Sequence, residues 1–261
     1  MNQRIRIYLI LFCLLLGTQS LALPFLKDKV GDVELPKPWG IGIDLFTMNQ
    51  DYDISQLAFN LPGAELGNPG GILVDSKAQS QTLKLDVWVL PFLNVFAMAG
   101  HVKADTAVNL SNAQISIGGQ ALPLGVLDLN YNGLVYGGGL TAAVGGKNWF
   151  TSVTATFTDT DLSGDFKTSV KSTTIQPRIG IIRGNWQYYV GGFYLDTEED
   201  HVGAIDLPGL GVIPFAVSLS QQDDWNYSTG VHYVFSKSSE MAFEVGLGDR
   251  QYTLLNYTHR F

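Results

Sequence analysis

Apolar side chains recur at every second position through most of this 261-residue chain, and beyond residue 16 no apolar run is long enough for a membrane helix. The clearest case is 82–89, where Leu83, Leu85, Val87 and Val89 alternate with Thr82, Lys84, Asp86 and Trp88. Successive side chains of a strand point to opposite faces, so a period of two gives one apolar face and one polar face. The same pattern covers Trp39, Ile41, Ile43 and Leu45 against Gly40, Gly42 and Asp44. It returns in Val153, Ala155 and Phe157 against Ser152, Thr154 and Thr156, and in Trp225, Tyr227, Val231 and Tyr233 against Asn226, Ser228, Gly230 and His232. Composition decides where the apolar faces go. Charged residues are only 15%, aromatics reach 11%, and there are 29 Gly. That mixture suits strands with one face in lipid and a small or polar face inside. Lipid offers no partners to open sheet edges, so the sheet has to close.

The start of the chain reads as an export signal. Arg4 and Arg6 precede the ten-residue apolar run Ile7–Leu16, and Ser20-Leu-Ala22 is a small-x-small cleavage site. That layout is a secretory signal peptide over 1–22. Its apolar run is about half the ~20 residues that a spanning helix needs. Phe12 before Cys13 argues against a lipoprotein site. Cleavage after Ala22 removes the only Cys, so the expected mature chain carries no disulfide despite its oxidising route. It also removes Arg4 and Arg6, taking 16 basic and 24 acidic residues to 14 and 24, and net charge from −8 to −10. Such an acid excess argues against nucleic acid as a partner. No cofactor is expected.

Residues 23–38 read as a periplasmic lead-in and 39–261 as an all-β, antiparallel, up-and-down transmembrane barrel. Short connections at 91–94, 145–148, 183–185 and 236–240 alternate with longer ones at 53–79, 107–129, 161–166 and 197–220. Turns on one side and loops on the other are the barrel's signature. The count is ten strands, with eight or twelve also compatible, because boundaries read this way shift by ~2–4 residues. In the third strand, Asn94–Thr106, Phe96, Met98, Val102 and Ala104 are expected to face out, with His101 and Lys103 inward. All five Trp are expected in the interfacial girdles.

The last segment, Gln251–Phe261, ends on an aromatic residue with Leu255 and Tyr257 on the same parity. It resembles the closing strand of Gram-negative outer-membrane β-barrels, although His259 stands where Tyr is more usual. The resemblance implies that Leu255, Tyr257 and Phe261 form the signal read by the barrel-assembly machinery. It also implies an outer-membrane location among lipid and lipopolysaccharide.

The polar faces give an expected lumen network of Asp44, Lys84, Asp86, His101, Lys103, Gln176, Arg178, His232, Glu244 and Arg260, with Asp44 and Glu244 as partners for Arg260. Both signs are present, as paired charges held away from lipid require. Chemistry has few candidates. His201, Asp223 and Asp224 could activate water, as in the ten-stranded omptin proteases. The His-x-Ser element of the lipid A deacylase barrels is absent. Asp159, Asp161, Ser163 and Asp165 copy the first half of a calcium loop, but Val170 stands where the bidentate Glu belongs. Two apolar segments, 115–127 and 205–217, each flank a Gly/Pro centre with β-formers, and are expected to form hairpins above the membrane. They serve either as a binding surface or as a lid packed on itself. The functions consistent with this are a narrow conduit or binding barrel for small, apolar molecules, a structural envelope role, a lipid- or peptide-cleaving hydrolase, and a surface adhesin.

Overall fold

The computed structural model describes residues 24–25, 35–59, 64–66, 68, 71–117, 119–121, 125–164, 167–207, 211–221 and 223–261. The signal segment 1–22 and most of the lead-in lie outside the described residues. The strands are β1 (Trp39–Phe59), β2 (Ala64–Leu66), β3 (Leu73–Leu90), β4 (Leu93–Asn109), β5 (Ile115–Ile117), β6 (Gln120–Ala121) and β7 (Val126–Gly145). They continue as β8 (Trp149–Gly164), β9 (Lys167–Arg183), β10 (Trp186–Leu207), β11 (Gly211–Gln221), β12 (Trp225–Ser236), β13 (Ser239–Leu247) and β14 (Gln251–Arg260).

Ten of them close into one antiparallel barrel in the order β1-β3-β4-β7-β8-β9-β10-β12-β13-β14 and back to β1. The closure sits on β1, where Ile43 pairs with Leu83 on one side and Tyr257 on the other. Every barrel strand therefore has two neighbours, which removes the edges. The ten-stranded, up-and-down topology is the one the alternation predicts.

The strands differ in length, and the difference has a consequence for the wall. β12, β13 and β14 run 12, 9 and 10 residues, close to the ~9–11 that cross a bilayer. β1, β7 and β10 run 21, 20 and 22 residues and continue above that level. Segments 53–79, 107–129 and 197–220, expected as loops, are therefore largely strand. β1 reaches Phe59, β3 starts at Leu73, and β10 extends to Leu207. Above the short strands, β11 bridges the gap. It pairs with β10 from Glu199↔Leu219 to Leu207↔Gly211 and with β1 from Tyr52↔Gln221 to Phe59↔Phe215. One strand thus replaces three, and the barrel has ten strands below and eight above.

The polarity of the wall inverts at the same level. Lower down, the outer face carries Ile41, Ile43, Leu83, Leu85, Leu140 and Ile179, all exposed and apolar. Higher on the same strands it carries Asp75, Lys77, Gln79, Gln81, His101, Lys103, Asp105, Asn130 and Asn132, also exposed. Inside the upper section, Val74, Ala104, Leu129 and Tyr131 are buried. The lower section is apolar outside and polar inside, as a lipid-embedded barrel must be. The upper one is built like a barrel in water.

This inversion corrects the face of β4. Its exposed positions are Val95, Ala97, Ala99, His101, Lys103 and Asp105, while Phe96, Met98, Val102 and Ala104 turn inward. His101 and Lys103 are therefore outside the lumen, in water. Reading apolar as outward along the whole strand inverts it, because β4 crosses out of the membrane partway along.

Four Trp lie on the outer face: Trp39, Trp149 and Trp186 at the ends of their strands on the short-turn side, and Trp225 at the opposite end of β12. Trp88 does not join them. It faces the lumen, with Arg260 over its ring at 6.0 Å. The two apolar segments do form hairpins, and they join different sheets. Strands β10 and β11 pair within the barrel wall, whereas β5 pairs with β2 and with β6 in a separate three-stranded sheet.

Candidate functional site

The lower lumen holds paired charges, each placed by strand parity. On β14, Arg260 donates Nη1 to Asp86 Oδ1 at 2.8 Å and Nε to Glu240 Oε1 at 2.8 Å. Asn94 Nδ2 donates to the same Asp86 oxygen at 2.6 Å, and His232 Nε2 lies 3.4 Å from Glu240 Oε2. Arg260 does not take Asp44 or Glu244. Asp44 instead accepts from Asn256 Nδ2 and lies 3.7 Å from Lys84 Nζ. Glu240 lies at the end of the 236–240 connection expected from the sequence, and the structure places it on β13. It falls four residues before Glu244 on the same face of β13, and that parity was the signal for it.

Glu244 is the most enclosed charge, 1% exposed. It accepts from Arg178 Nε at 2.8 Å and from the Tyr252 hydroxyl at 2.5 Å, and Arg178 Nη2 donates on to Gln176 Oε1 at 3.1 Å. β10 and β12 separate β9 from β13 in the wall, so this group spans the inner surface of two strands. Gly246 makes the space: a Cβ there would lie 2.0 Å from the Tyr252 ring. A charge this deep is tolerable only with its partners in place. Tyr252 shares the inward parity of Asn256 and Arg260, so the alternation could have found it too.

An apolar layer lies against Tyr252. Phe193, Leu195 and Tyr252 are buried, with Phe46 and Met48 packed on them, and the Phe193 and Tyr252 ring centroids are 4.8 Å apart. Beyond this layer is the level where the wall changes from ten strands to eight. β1 pairs with β14 as far as Asn49↔Gln251 and with β11 from Tyr52↔Gln221. β10 pairs with β12 as far as Tyr194↔Trp225, then gives one Leu195 N–H to Asp224 O at 2.9 Å, and meets β11 from Glu199↔Leu219. The ladder is broken on both sides of this seam.

Arg250, 3% exposed, sits in the seam. Its Nε donates to Gln50 Oε1 at 2.6 Å, its Nη2 donates to Asp223 O at 2.8 Å, and its guanidinium lies over the Phe193 ring at 5.6 Å. Asn226 Nδ2 donates to the Arg250 carbonyl. Two buried donors have no acceptor, Arg250 Nη1 and Gln50 Nε2. Gln50, Asp51, Asp223, Trp225, Asp249 and Arg250 line a recess here. The acids on its rim crowd one another. Burial, then the charge of Asp75 and a hydrogen bond with it, push the Asp51 carboxyl above its ordinary range. A hydrogen bond with Asp249, and that group's charge, do the same to Asp223. Burial pulls Arg250 below the ordinary guanidinium range. Neither Arg250 nor Gln50 is legible as a site residue in the sequence, because both fall in what reads as loop or strand end.

The catalytic and metal candidates are not brought together. The His201 side chain lies outside the described residues, but its backbone is six residues along β10 from Leu195, whose N–H meets Asp224. At a strand's rise that is roughly 20 Å from Asp223 and Asp224. Asp159, Asp161 and Ser163 alternate on β8, which stays paired through Gly164. Alternate residues on one strand face stand ~6–7 Å apart and cannot converge on one ion with ligands at ~2.4 Å. Asp165 lies outside the described residues. At the chain's end, Leu255, Tyr257 and Phe261 share the outer face of β14, and Phe261 N–H donates to Trp39 O at 3.0 Å.

No family model matches the sequence, and no curated protein matches it. Among solved structures, the chain is similar to the outer membrane protein OprG from Pseudomonas aeruginosa, at 14% identity and a TM-score of 0.44, covering 88% of this chain and 100% of that one. It is similar to the transport unit of the autotransporter AIDA-I from Escherichia coli, at 10% identity and 0.43, covering 91% and 94%. It is also similar to the toluene transporter TbuX from Ralstonia pickettii, at 9% identity and 0.37, covering 87% and 90%. Likeness at this level says nothing of what this chain binds. A closed ladder with an apolar belt, flanked by outward Trp at both ends, makes the chain an integral outer-membrane β-barrel in its own right.

Proposed function

We propose that this barrel binds small apolar molecules on the outer side of the membrane, inside its eight-stranded section, and that the ten-stranded section is the lipid-embedded base. One observation carries the reading: above the membrane the wall turns apolar side chains inward, including Val74, Leu129 and Tyr131. Apolar-lined sites with few polar groups suit small ligands of that kind. The charged groups of the lower lumen, such as Arg260–Asp86 and Arg178–Glu244, oppose free passage of such a molecule straight down the axis. Outer-membrane lipid, lipopolysaccharide and the barrel-assembly machinery are the proposed partners of the base.

The test is equilibrium dialysis of radiolabelled decane against nanodiscs with and without the protein. Protein-containing discs retain decane above the lipid background, and Leu129→Asp brings retention back to that background while the barrel keeps its heat-modifiable gel migration. Retention no higher than empty discs, or unchanged in Leu129→Asp, would overturn the reading.

A further inference from the structure

We infer that the short-turn rim of the barrel is a docking surface for anionic phospholipid headgroups of the phosphatidylglycerol kind. The inference is separate from what the upper section binds, and sharpens only the proposed partnership of the base with lipid. The chain has an acid excess, with a net charge of −8, yet this rim is basic. Lys147 lies in the β7–β8 turn, Arg183 at the β9–β10 turn, Lys237 in the β12–β13 turn and Lys37 two residues before β1, all exposed. In the order of the wall these cations follow one another, each two strands from the next, roughly 10 Å along the rim. The remaining turn, Pro91-Phe92 between β3 and β4, is uncharged. Apart from the terminal carboxylate, the acids at this end among the described residues are Asp86 and Glu240. Both face the lumen, where Arg260 takes them. Lys37 and Lys147 have no carboxylate partner among the described residues, and Arg183 Nη1 donates to the Ile182 carbonyl at 3.2 Å.

The height of these cations selects the partner. Each stands two or three residues from an outward aromatic: Lys37 from Trp39, Lys147 from Trp149, Arg183 from Trp186 and Lys237 from Phe235. Outward aromatics at strand ends sit at headgroup level. The cations beside them therefore lie among lipid phosphates, and not farther out where a cell-wall polymer runs. Long basic side chains keep their methylene stems on apolar surface while the charge reaches the headgroups. Short turns of such barrels face the periplasm, so the leaflet they meet is the phospholipid one. Exposed acids gather at the opposite end instead, Asp51, Asp75, Asp105 and Asp223 among them. Charge is thus sorted by end, and an anionic headgroup complements only the rim.

The experiment reconstitutes the full chain in phosphatidylcholine vesicles with a trace of spin-labelled phosphatidylglycerol or spin-labelled phosphatidylcholine. It reads the fraction of label immobilised at the protein. Phosphatidylglycerol should associate at least about threefold more strongly than phosphatidylcholine at low salt, and approach it at about 0.5 M salt. Lys37→Gln, Lys147→Gln, Arg183→Gln and Lys237→Gln together should bring the two lipids level, with heat-modifiable migration confirming the fold. Lys77→Gln with Lys103→Gln removes two exposed cations toward the other end and should leave the preference intact. If the fourfold variant fails to assemble, Arg183→Gln alone decides, by a reduced preference. Equal immobilisation of the two lipids by the unaltered chain, or a preference that survives loss of the rim cations, would overturn the inference. Cosedimentation with purified peptidoglycan, lost in the fourfold variant and without any lipid preference, would overturn it in favour of the cell wall. Decane retention, which tests the upper section, is untouched by any of these results.

Discussion

Below the seam, the wall has ten strands, an apolar exterior and paired charges inside. Above it, the same strands number eight with β11, and they carry charge outside and Val, Leu and Tyr inside. The two halves share one backbone ladder and obey opposite polarity rules. The difference teaches that alternation on a strand encodes two faces without saying which is outward. That depends on the solvent at each height.

The comparison can be broken from either side. The largest effect should come from the lower interior. Glu244→Ala leaves Arg178 and the Tyr252 hydroxyl facing an empty place and should cost about 3–5 kcal/mol, read as a drop in urea-unfolding stability in vesicles. A smaller effect separates two positions on one face of β7. Leu140→Arg puts a cation in the lipid-facing belt and should cost about 2–4 kcal/mol. Asn132→Arg, eight residues higher on that face, should change stability by less than about 0.5 kcal/mol. Equal costs at 132 and 140 would mean that the outer face does not change solvent.

In the upper interior, Leu129→Ala removes a buried side chain packed beside Ala104 and Tyr131, and should cost about 2 kcal/mol in the same assay. The smallest effect belongs to the seam. Asp51 has its carboxyl pushed up, so its ionised form works against the folded state. Asp51→Asn should therefore be slightly more stable than the unaltered chain at neutral pH. As pH falls through the raised pKa of Asp51, the folded protein takes up the proton and that advantage should vanish. A difference that grows in acid would refute the sign.

Much of the barrel was legible in the residues. The period of two places Leu83, Leu85, Ile179 and Phe243 outward and Asp44, Asp86, Gln176, Arg178, His232, Glu244 and Arg260 inward, as the structure does. It failed at His101 and Lys103, where β4 has already left the lipid. The seam was illegible for another reason. Arg250 follows Gly248 and Asp249 in what looks like an ordinary turn. Its surroundings come from Gln50 on β1, Phe193 on β10 and the Asp223 carbonyl, residues distant from it in the chain. Partner choice also depends on register: Arg260 meets Asp86 and Glu240 because those positions fall at its level. Local pattern gives a face and leaves the height open.

The central claim is that the outer wall passes from lipid into water within a few residues of each strand. Gln79 and Leu83 share one face of β3, four residues and roughly 13 Å apart, and His101 lies on the outer face of β4 beside them. Single Cys substitutions at these three positions, spin-labelled in lipid vesicles, report the solvent directly through collision with oxygen or with a water-soluble nickel chelate. The account predicts a label at 83 that collides mainly with oxygen, and labels at 79 and 101 that collide mainly with nickel. Oxygen-dominated labels at all three positions, or a label at 101 shielded from both reagents, would contradict it.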